Sequence, residues 1–315
     1  MIRIRACVTA ATLLALAGCG LLGEEPVADR AGTTAITVSV MPTIDLAPFH
    51  LAMRNGYFTA EGLAVTTVGA PSGQASVAKL IGGDVDIAYS SYPPFFVAQA
   101  RGAADLRLVA DASAAGPRTT MVVAMPDSPV KGIADLAGRR VAVTGRNTVS
   151  DMLVKSAMRT AGADFSGVRW VEIPFPDTAA ALERGDVDAA FLTEPFITQA
   201  RRTVGAVPVA DTAVGPARDL PTAGYAALRT FTDAHPDAVT AFRRAMERAT
   251  AEAADRAVVE PLIVEFAKVD PAVAAETEML TLRSRIEPAT LQRVPNLLAE
   301  YGIIPAPLDV TGMIA

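Results

Sequence analysis

The sequence predicts an α/β fold in which two similar lobes face one cleft. The first observation behind this is a stretch that occurs twice: residues 83–88 read GDVDIA and residues 185–190 read GDVDAA, 102 positions apart. Each copy follows an Ala/Leu-rich run, and each leads into short polar residues, Ser90-Ser91 and Thr193-Glu194. A helix ending at a glycine, a Gly-Asp turn and a short buried strand make the second half of a βαβ unit. The strand of such a unit opens at its carboxyl end onto a cleft. The second observation is the regular alternation of β-branched runs with helical ones. The third is size: 315 residues suffice for two such units, and the spacing of the copies is too long for a solenoid repeat.

The chain opens with Arg3 and Arg5, an apolar core over residues 6–17, and LAGC at residues 16–19. That apolar run is too short to span a bilayer, so residues 1–18 read as a signal peptide. Leu-Ala-Gly-Cys resembles the bacterial lipoprotein cleavage box, which makes Cys19 the lipidation site and the membrane anchor. Two or more acyl chains hold stably where one is marginal. Residues 19–34 read as a polar tether. Cys7 leaves with the signal, so no disulfide, cysteine nucleophile or thiolate metal site remains to be built. The net charge is −6 and the basic residues are scattered, which argues against nucleic acid as a partner.

Residues 35–40 alternate and are β-branched, a first strand. Asp45 suits a helix start, with Pro48 in the first turn and Gly56 at the end. Strands follow at 63–68, 85–89 and 106–110, with helices at 72–81 and 94–101 between them. This βαβαβαβ order predicts a parallel, doubly wound sheet. Gly116-Pro117 interrupts the pattern, and residues 119–124 form a strand suited to crossing between lobes. A second series then runs through strands at 140–144, 168–173, 187–191 and 205–210. Its helices lie at 133–136, 147–160 (capped by Asn147), 178–183 and 195–204. Residues 214–221 read as loop and 224–228 as a returning strand. From Pro236 the chain is helical, with Val239, Phe242, Met246 and Ala249 on one face. Further helices are expected at 257–266, 272–280 and 288–300, the last with Leu291, Val294, Leu298 and Tyr301 as its apolar stripe. The domains expected are therefore 35–118 with 222–315 as lobe 1 and 119–221 as lobe 2, the helical tail packing on lobe 1.

Residues 45–65 read DLAPFHLAMRNGYFTAEGLAV. This segment resembles the "aP-x-x-x-A-x-x-x-G-[YF]-F-x-x-x-G-L-x-V" signature of solute-binding lipoproteins of the nitrate/sulfonate/taurine type, a group that includes binders of a thiamine-precursor pyrimidine. GDVDIA, the Glu194-Pro195-Phe196 turn and PATLQRVPNLLAEYGII over residues 288–304 resemble the same family at matching places. The resemblance implies a type II periplasmic-binding-protein fold, the two-lobe Venus flytrap with two crossing strands. It also implies a monomer at the extracytoplasmic face that hands a small solute to an ABC permease and its ATPase. This chain has no G-x-x-x-x-G-K-[ST] to supply the energy itself. Most of the signature is structural, and Tyr57 and Phe58 read as core.

Ligands of open α/β sheets sit beyond the carboxyl ends of strands, beside helix N-termini that attract anions. That rule selects Met41 to Asp45, Ser72 to Gln74, Ser90 to Tyr92, Gly145 to Thr148, and Thr193-Glu194, loops that family members also use. The candidate ligand-binding residues are Thr43, Asp45, Gln74, Ser90, Ser91, Tyr92, Arg118, Asn147, Thr148 and Glu194. Asp45, Ser72, Asn147 and Thr193 serve equally well as N-caps, and Glu194 as a helix-dipole partner. Arg118 and Arg146 suit either a carboxylate or sulfonate clamp or a solvated surface. If Asp45 and Glu194 both face the cleft, two unpaired carboxylates favour a solute with an amine or several N–H donors over bare nitrate. An amine-bearing sulfonate or a heteroaromatic amine such as a pyrimidine fits. Tyr89, Tyr92, Phe95, Phe175 and Phe196 are the stacking candidates, and Trp170 reads as core.

The rival class is an enzyme like the fungal thiamine-pyrimidine synthases, which share the lobe architecture and in which the resemblance brings a cysteine cluster and a histidine. His50 and His235 are distant in sequence and assemble neither a Ser/His/Asp set nor a metal spacing. The expectation is a binder with no catalytic residues, no cofactor and no metal. A binding pair that reports to a sensor instead of a permease is the third reading.

Overall fold

The computed structural model describes residues 33–315, so the signal peptide, Cys19 and nearly all of the tether lie outside the described residues. Eleven strands form two sheets among the described residues. They are β1 Thr34–Val40, β2 Leu63–Gly69, β3 Ile87–Ser91, β4 Leu106–Ala114, β5 Thr120–Ala124, β6 Arg140–Val143, β7 Arg169–Glu172, β8 Ala189–Thr193, β9 Val207–Asp211, β10 Pro221–Leu228 and β11 Thr281–Leu282. The first sheet has the order β11-β4-β10-β3-β1-β2 and the second β7-β6-β8-β5-β9.

The doubled GDVD explains why the two sheets look alike. In each copy the helix stops at a glycine with positive φ, Gly83 at 82° and Gly185 at 71°, a conformation that a side chain would strain. Asp84 N–H then reaches back to Lys79 O, and Asp186 N–H to Ala181 O. The second aspartate of each copy carries the join. Asp86 Oδ2 accepts from Thr37 N at 2.7 Å, and Asp188 Oδ2 accepts from Arg140 N at 2.8 Å. Both aspartates thus tie the entry of a strand (β3, β8) to its parallel neighbour, at the middle of β1 and at the start of β6. The repeat sets strand register.

The parallel arrangement expected from the βαβαβαβ order holds in the centre of each sheet, and the two crossing strands run against it. The core pairs β1–β2, β1–β3, β6–β7 and β6–β8 are parallel. However, β10 inserts antiparallel between β3 and β4, and β5 inserts antiparallel between β8 and β9. The inserted strand is in each case one that the chain reaches on passing from one sheet to the other. Continuity of the backbone forces its direction, and periodicity within a segment carries no record of it.

Three further differences concern the tail and β4. First, β4 runs on to Ala114, four residues past its expected end. Second, the helix expected at 272–280 stops at Glu276, and β11 follows it. Third, the final helix is broken into Pro288–Leu291 and Arg293–Glu300; Pro295 has no N–H to give the preceding turn. The tail also does not pack on the first sheet alone. Helix Pro236–Glu252 does so, burying Val239, Phe242, Met246 and Ala249 in one cluster with Phe49 and Phe58. The last helix instead joins a cluster that runs from Phe95 and Phe96 to Met158 and Val141 beneath the second sheet. Its Arg293 donates at 2.7 Å to both Pro216 O and Arg218 O, and Glu300 meets Arg159 at 3.4 Å. The tail binds both sheets into one unit over Thr33–Ala315.

Candidate functional site

The carboxyl ends of β1, β3, β6 and β8 open onto a cleft lined by residues of both sheets. Three direct contacts draw its two sides together. Gln74 Nε2 donates to Arg146 O, Val149 N donates to Ser91 Oγ at 3.4 Å, and Ile44 N donates to Glu194 O at 3.4 Å.

The loop after β1 supplies Met41, Thr43 and Asp45 to the wall. Asp45 lies in a single 3-10 turn, Ile44–Leu46, and is 8 % exposed. Its Oδ2 accepts from Ser113 Oγ at 3.0 Å, and Ser113 Oγ also meets Thr222 Oγ1 at 2.7 Å. Its Oδ1 is buried without a partner. Two phenols stand near the Asp45 carboxylate: Tyr89, whose hydroxyl meets Thr43 Oγ1 at 3.2 Å, and Tyr225, whose hydroxyl has no partner. Burial and the nearby Asp45 charge push both phenols well above the usual tyrosine range, and for Tyr89 the approach of its hydroxyl to the Asp45 carboxylate adds to this, although the pair falls short of a geometric hydrogen bond; both remain neutral O–H groups. A buried carboxylate oxygen left unmatched costs about 1–3 kcal/mol or more.

Two helix starts share the cavity. Gly73 opens helix Gly73–Gly82, and Val149 and Ser150 open helix Val149–Thr160. First-turn N–H groups have no acceptor within their own helix, and the helix dipole adds positive potential there. Phe175, Phe191, Met41 and Leu280 give the cavity an apolar share. The wall thus offers an unmatched carboxylate oxygen, hydroxyls, two helix N-termini and apolar area. No lysine, arginine, histidine or cysteine lines it among the described residues.

Of the ten candidate residues, Thr43, Asp45 and Ser91 line the cleft. The structure directs the others elsewhere. Ser90 Oγ donates to Ser91 O at 2.9 Å beneath the wall. Tyr92 is fully buried and donates to Asp111 Oδ1 at 2.8 Å. Arg118 is exposed and paired with Glu278 at 2.7 Å. Gln74 clasps the opposite loop, as above. Asn147 is not the cap; its φ is 59°, and Thr148 caps the helix by accepting from Ser150 N at 3.1 Å. Glu194 is 1 % exposed and turned away from the cavity. Burial raises its carboxyl, while Thr198 N, Thr198 Oγ1 and Glu278 N all donate to it. The expected pair of facing, unmatched carboxylates is therefore corrected to one, Asp45.

The misses follow a rule. Four of the five selected loops reach the cleft, partly through Gly73 and Thr193, whereas residues 145–148 do not line it and their flanks Thr144 and Val149 do. Neighbouring side chains on a strand point to opposite faces, so Thr193 enters and Glu194 does not. Ser113, Thr120 and Thr222 were missed because they lie on β4, β5 and β10, strands read as too short or as mere crossings. The usable signal was a small polar residue inside an apolar run, such as Ser113 in VADASA. Among the stacking candidates, Tyr89 and Phe175 line the cleft, whereas Tyr92, Phe95 and Phe196 do not, and Phe191 was missed. Trp170 is half-buried beneath Lys155 rather than in the core.

Two mixed sheets with a cleft at the strand ends and an antiparallel crossing strand in each are the architecture of periplasmic binding proteins. The alkanesulfonate-binding protein SsuA from Xanthomonas axonopodis pv. citri, solved with MOPS bound, superposes with a TM-score of 0.77 at 18 % identity, covering 91 % of this chain and 99 % of that one. The chain belongs to the NMT1/THI5 like family, which it matches over residues 43–257. A protein of Escherichia coli (strain K12), provisionally named an aliphatic sulfonates-binding protein, is 27 % identical over 190 residues, 59 % of this chain and 58 % of its own. The taurine-binding periplasmic protein of the same organism is 27 % identical over 215 residues, 67 % of this chain and 64 % of its own. The chain thus spans 58 % and 64 % of the lengths of these two relatives.

Proposed function

We propose that this chain is the extracytoplasmic solute-binding component of an ABC importer, a binder and not an enzyme, and that its solute is a small amine-bearing sulfonate of the taurine kind. Residues 35–118 with 222–315 act as one lobe and 119–221 as the other, closing on the solute. Cys19 carries the lipid anchor, and the monomer hands its cargo to a permease driven by an ATPase. Family membership, the binding-protein architecture and the names of the relatives support the transport reading.

The ligand class rests on Asp45 Oδ1, a buried carboxylate oxygen without a partner in the cleft. An ammonium group would match it, whereas nitrate or a plain alkanesulfonate would leave it unmatched beside a second negative charge. The sulfonate end suits the helix start at Gly73, where first-turn N–H groups and the dipole favour an anion without a counter-cation.

Thermal unfolding of the purified protein against taurine, alkanesulfonates, nitrate, bicarbonate, pyrimidines and flavins tests the reading. A true ligand at 100-fold over its Kd adds ~2.7 kcal/mol, several degrees at ~2–4 °C per kcal/mol. Taurine-type compounds are expected to shift the transition and nitrate to leave it in place. Silence across all sulfonates sinks the ligand class, and turnover of any member sinks the binder. The anchor is checked separately: Cys19→Ser is expected to leave the membrane fraction.

A further inference from the structure

The family match ends at residue 257, yet the chain returns to the cleft after that point. Among the lining residues, Leu280 is the one that comes from the tail. It ends a short segment, 276–280, held on the first sheet's side at both ends. Upstream, Arg256 Nη1 donates to Thr277 O at 2.8 Å and Arg256 Nη2 to Ala274 O at 3.2 Å. Downstream, β11 pairs Thr281 with Ala114 and Leu282 with Ser113, so the segment emerges beside two residues of the cleft wall.

Between those ends the segment faces the second sheet's side and carries two acids onto three arginines. Glu276 meets Arg201 Nη2 at 2.6 Å and also Arg202. Glu278 meets Arg118 Nη2 at 2.7 Å, and its N–H donates to Glu194 Oε1 at 3.3 Å. Single exposed ion pairs contribute little to stability. Here their geometry does something else, because they fix the lateral position of a segment whose last residue forms part of the cavity. The buried Glu194 carboxylate, turned away from solute, has its role here as an acceptor for the strap.

We propose that residues 276–280 are a specificity-determining strap: Leu280 sets the size of apolar group that the cleft admits, and the Glu276/Glu278 clasp holds Leu280 in place. The inference rests on the sulfonate-binding reading above. A leucine in the wall of the cleft excludes by volume. Removing or adding a few carbons there moves the balance between short and long ligands, since one methylene in an apolar pocket discriminates by about 10- to 200-fold.

Calorimetric titration with linear alkanesulfonates of increasing chain length, together with taurine, tests this. Leu280→Ala is expected to raise affinity for the longer members relative to the shorter by at least tenfold, and Leu280→Phe to lower it. Because Leu280 is only half-buried, both variants are expected to fold, and opposite shifts exclude a general loss of packing. Glu276→Gln with Glu278→Gln is expected to weaken all members several-fold and to remove most of the wild-type dependence on added salt. An unchanged length preference in both Leu280 variants, with the wild type binding the series, overturns the strap alone. A wild type that binds no member overturns the strap together with the sulfonate reading.

Discussion

At the scale of single residues, Asp45 has one carboxylate oxygen that the fold satisfies through Ser113 and one that it does not. Asn is nearly isosteric, keeps the acceptor for Ser113, and removes the charge. Asp45→Asn is therefore expected to weaken taurine-type binding by about 2 kcal/mol or more, roughly 30-fold, while a plain alkanesulfonate of equal length binds as well or better. Titration calorimetry on the two ligands checks the pair, and equal losses for both would show that Asp45 does not read an amine. The position of Asp45 is legible in the sequence, because it lies in the loop that follows a β-branched strand, where the carboxyl end of the strand opens onto a cleft. Glu194 has the same kind of address but faces the other way. Which face of a strand end a side chain takes depends on where the strand begins, and the sequence bounds that to within a residue or two, as many as the alternation needs to reverse.

The elements themselves show the same limit at helix starts. Asn147 and Thr148 are both good capping types, and only backbone conformation separates them. Thr148 is extended and accepts from Ser150 N, while Asp151 Oδ1 accepts from Thr148 N at 2.8 Å, completing a capping box. Asn147 instead occupies the left-handed region, which asparagine tolerates better than most residues. Thr148→Ala is thus expected to cost ~1 kcal/mol in urea unfolding, and Asn147→Gly to be neutral or slightly stabilising. The reverse ranking would return the cap to Asn147. By contrast, GDVD was readable twice over. A helix-ending glycine and a strand-entry aspartate are local devices, and both copies perform them with the same bonds. What no local device records is the antiparallel insertion of β5 and β10, or the return of the tail to both sheets, since these depend on contacts far apart in the chain.

For the whole molecule, two buried groups in different parts of the first sheet's surroundings oppose each other in pH dependence. Asp111 sits under the sheet between Tyr92 and Arg283, and burial pushes its carboxyl up to about 7, with the Tyr92 hydroxyl and the Arg283 charge pulling weakly the other way. His50 stacks on Phe266 at 4.5 Å, and burial lowers its imidazole to about 4. A raised carboxyl makes the folded state the better proton binder, so its contribution is full below about pH 4 and is lost as pH rises to about 7. A lowered imidazole makes the unfolded chain the better binder, so its contribution is full above about 6.5 and is lost as pH falls to about 4. At ~1.4 kcal/mol for each pH unit of its window, the Asp111 contribution is on the order of 4 kcal/mol and the His50 contribution somewhat smaller, on the order of 3 kcal/mol, with opposite sign. Glu194, also raised by burial, adds to the first. Asp188, lowered by its hydrogen bonds to Arg140, loses its contribution only as pH falls below the ordinary aspartate range. Between about pH 4.5 and 6.5 the Asp111 and His50 slopes of the wild type are accordingly expected to offset each other, with Glu194 tilting the profile gently downward as pH rises, and the Asp188 contribution to be lost only below the ordinary aspartate range. Asp111→Asn keeps an acceptor for Tyr92 and is expected to leave a profile that climbs with pH. His50→Gln is expected to leave one that declines. Urea midpoints for the three proteins across that range read the slopes directly, independently of any constant offset from lost packing. Identical slopes in all three would mean that neither group titrates differently in the folded and unfolded states.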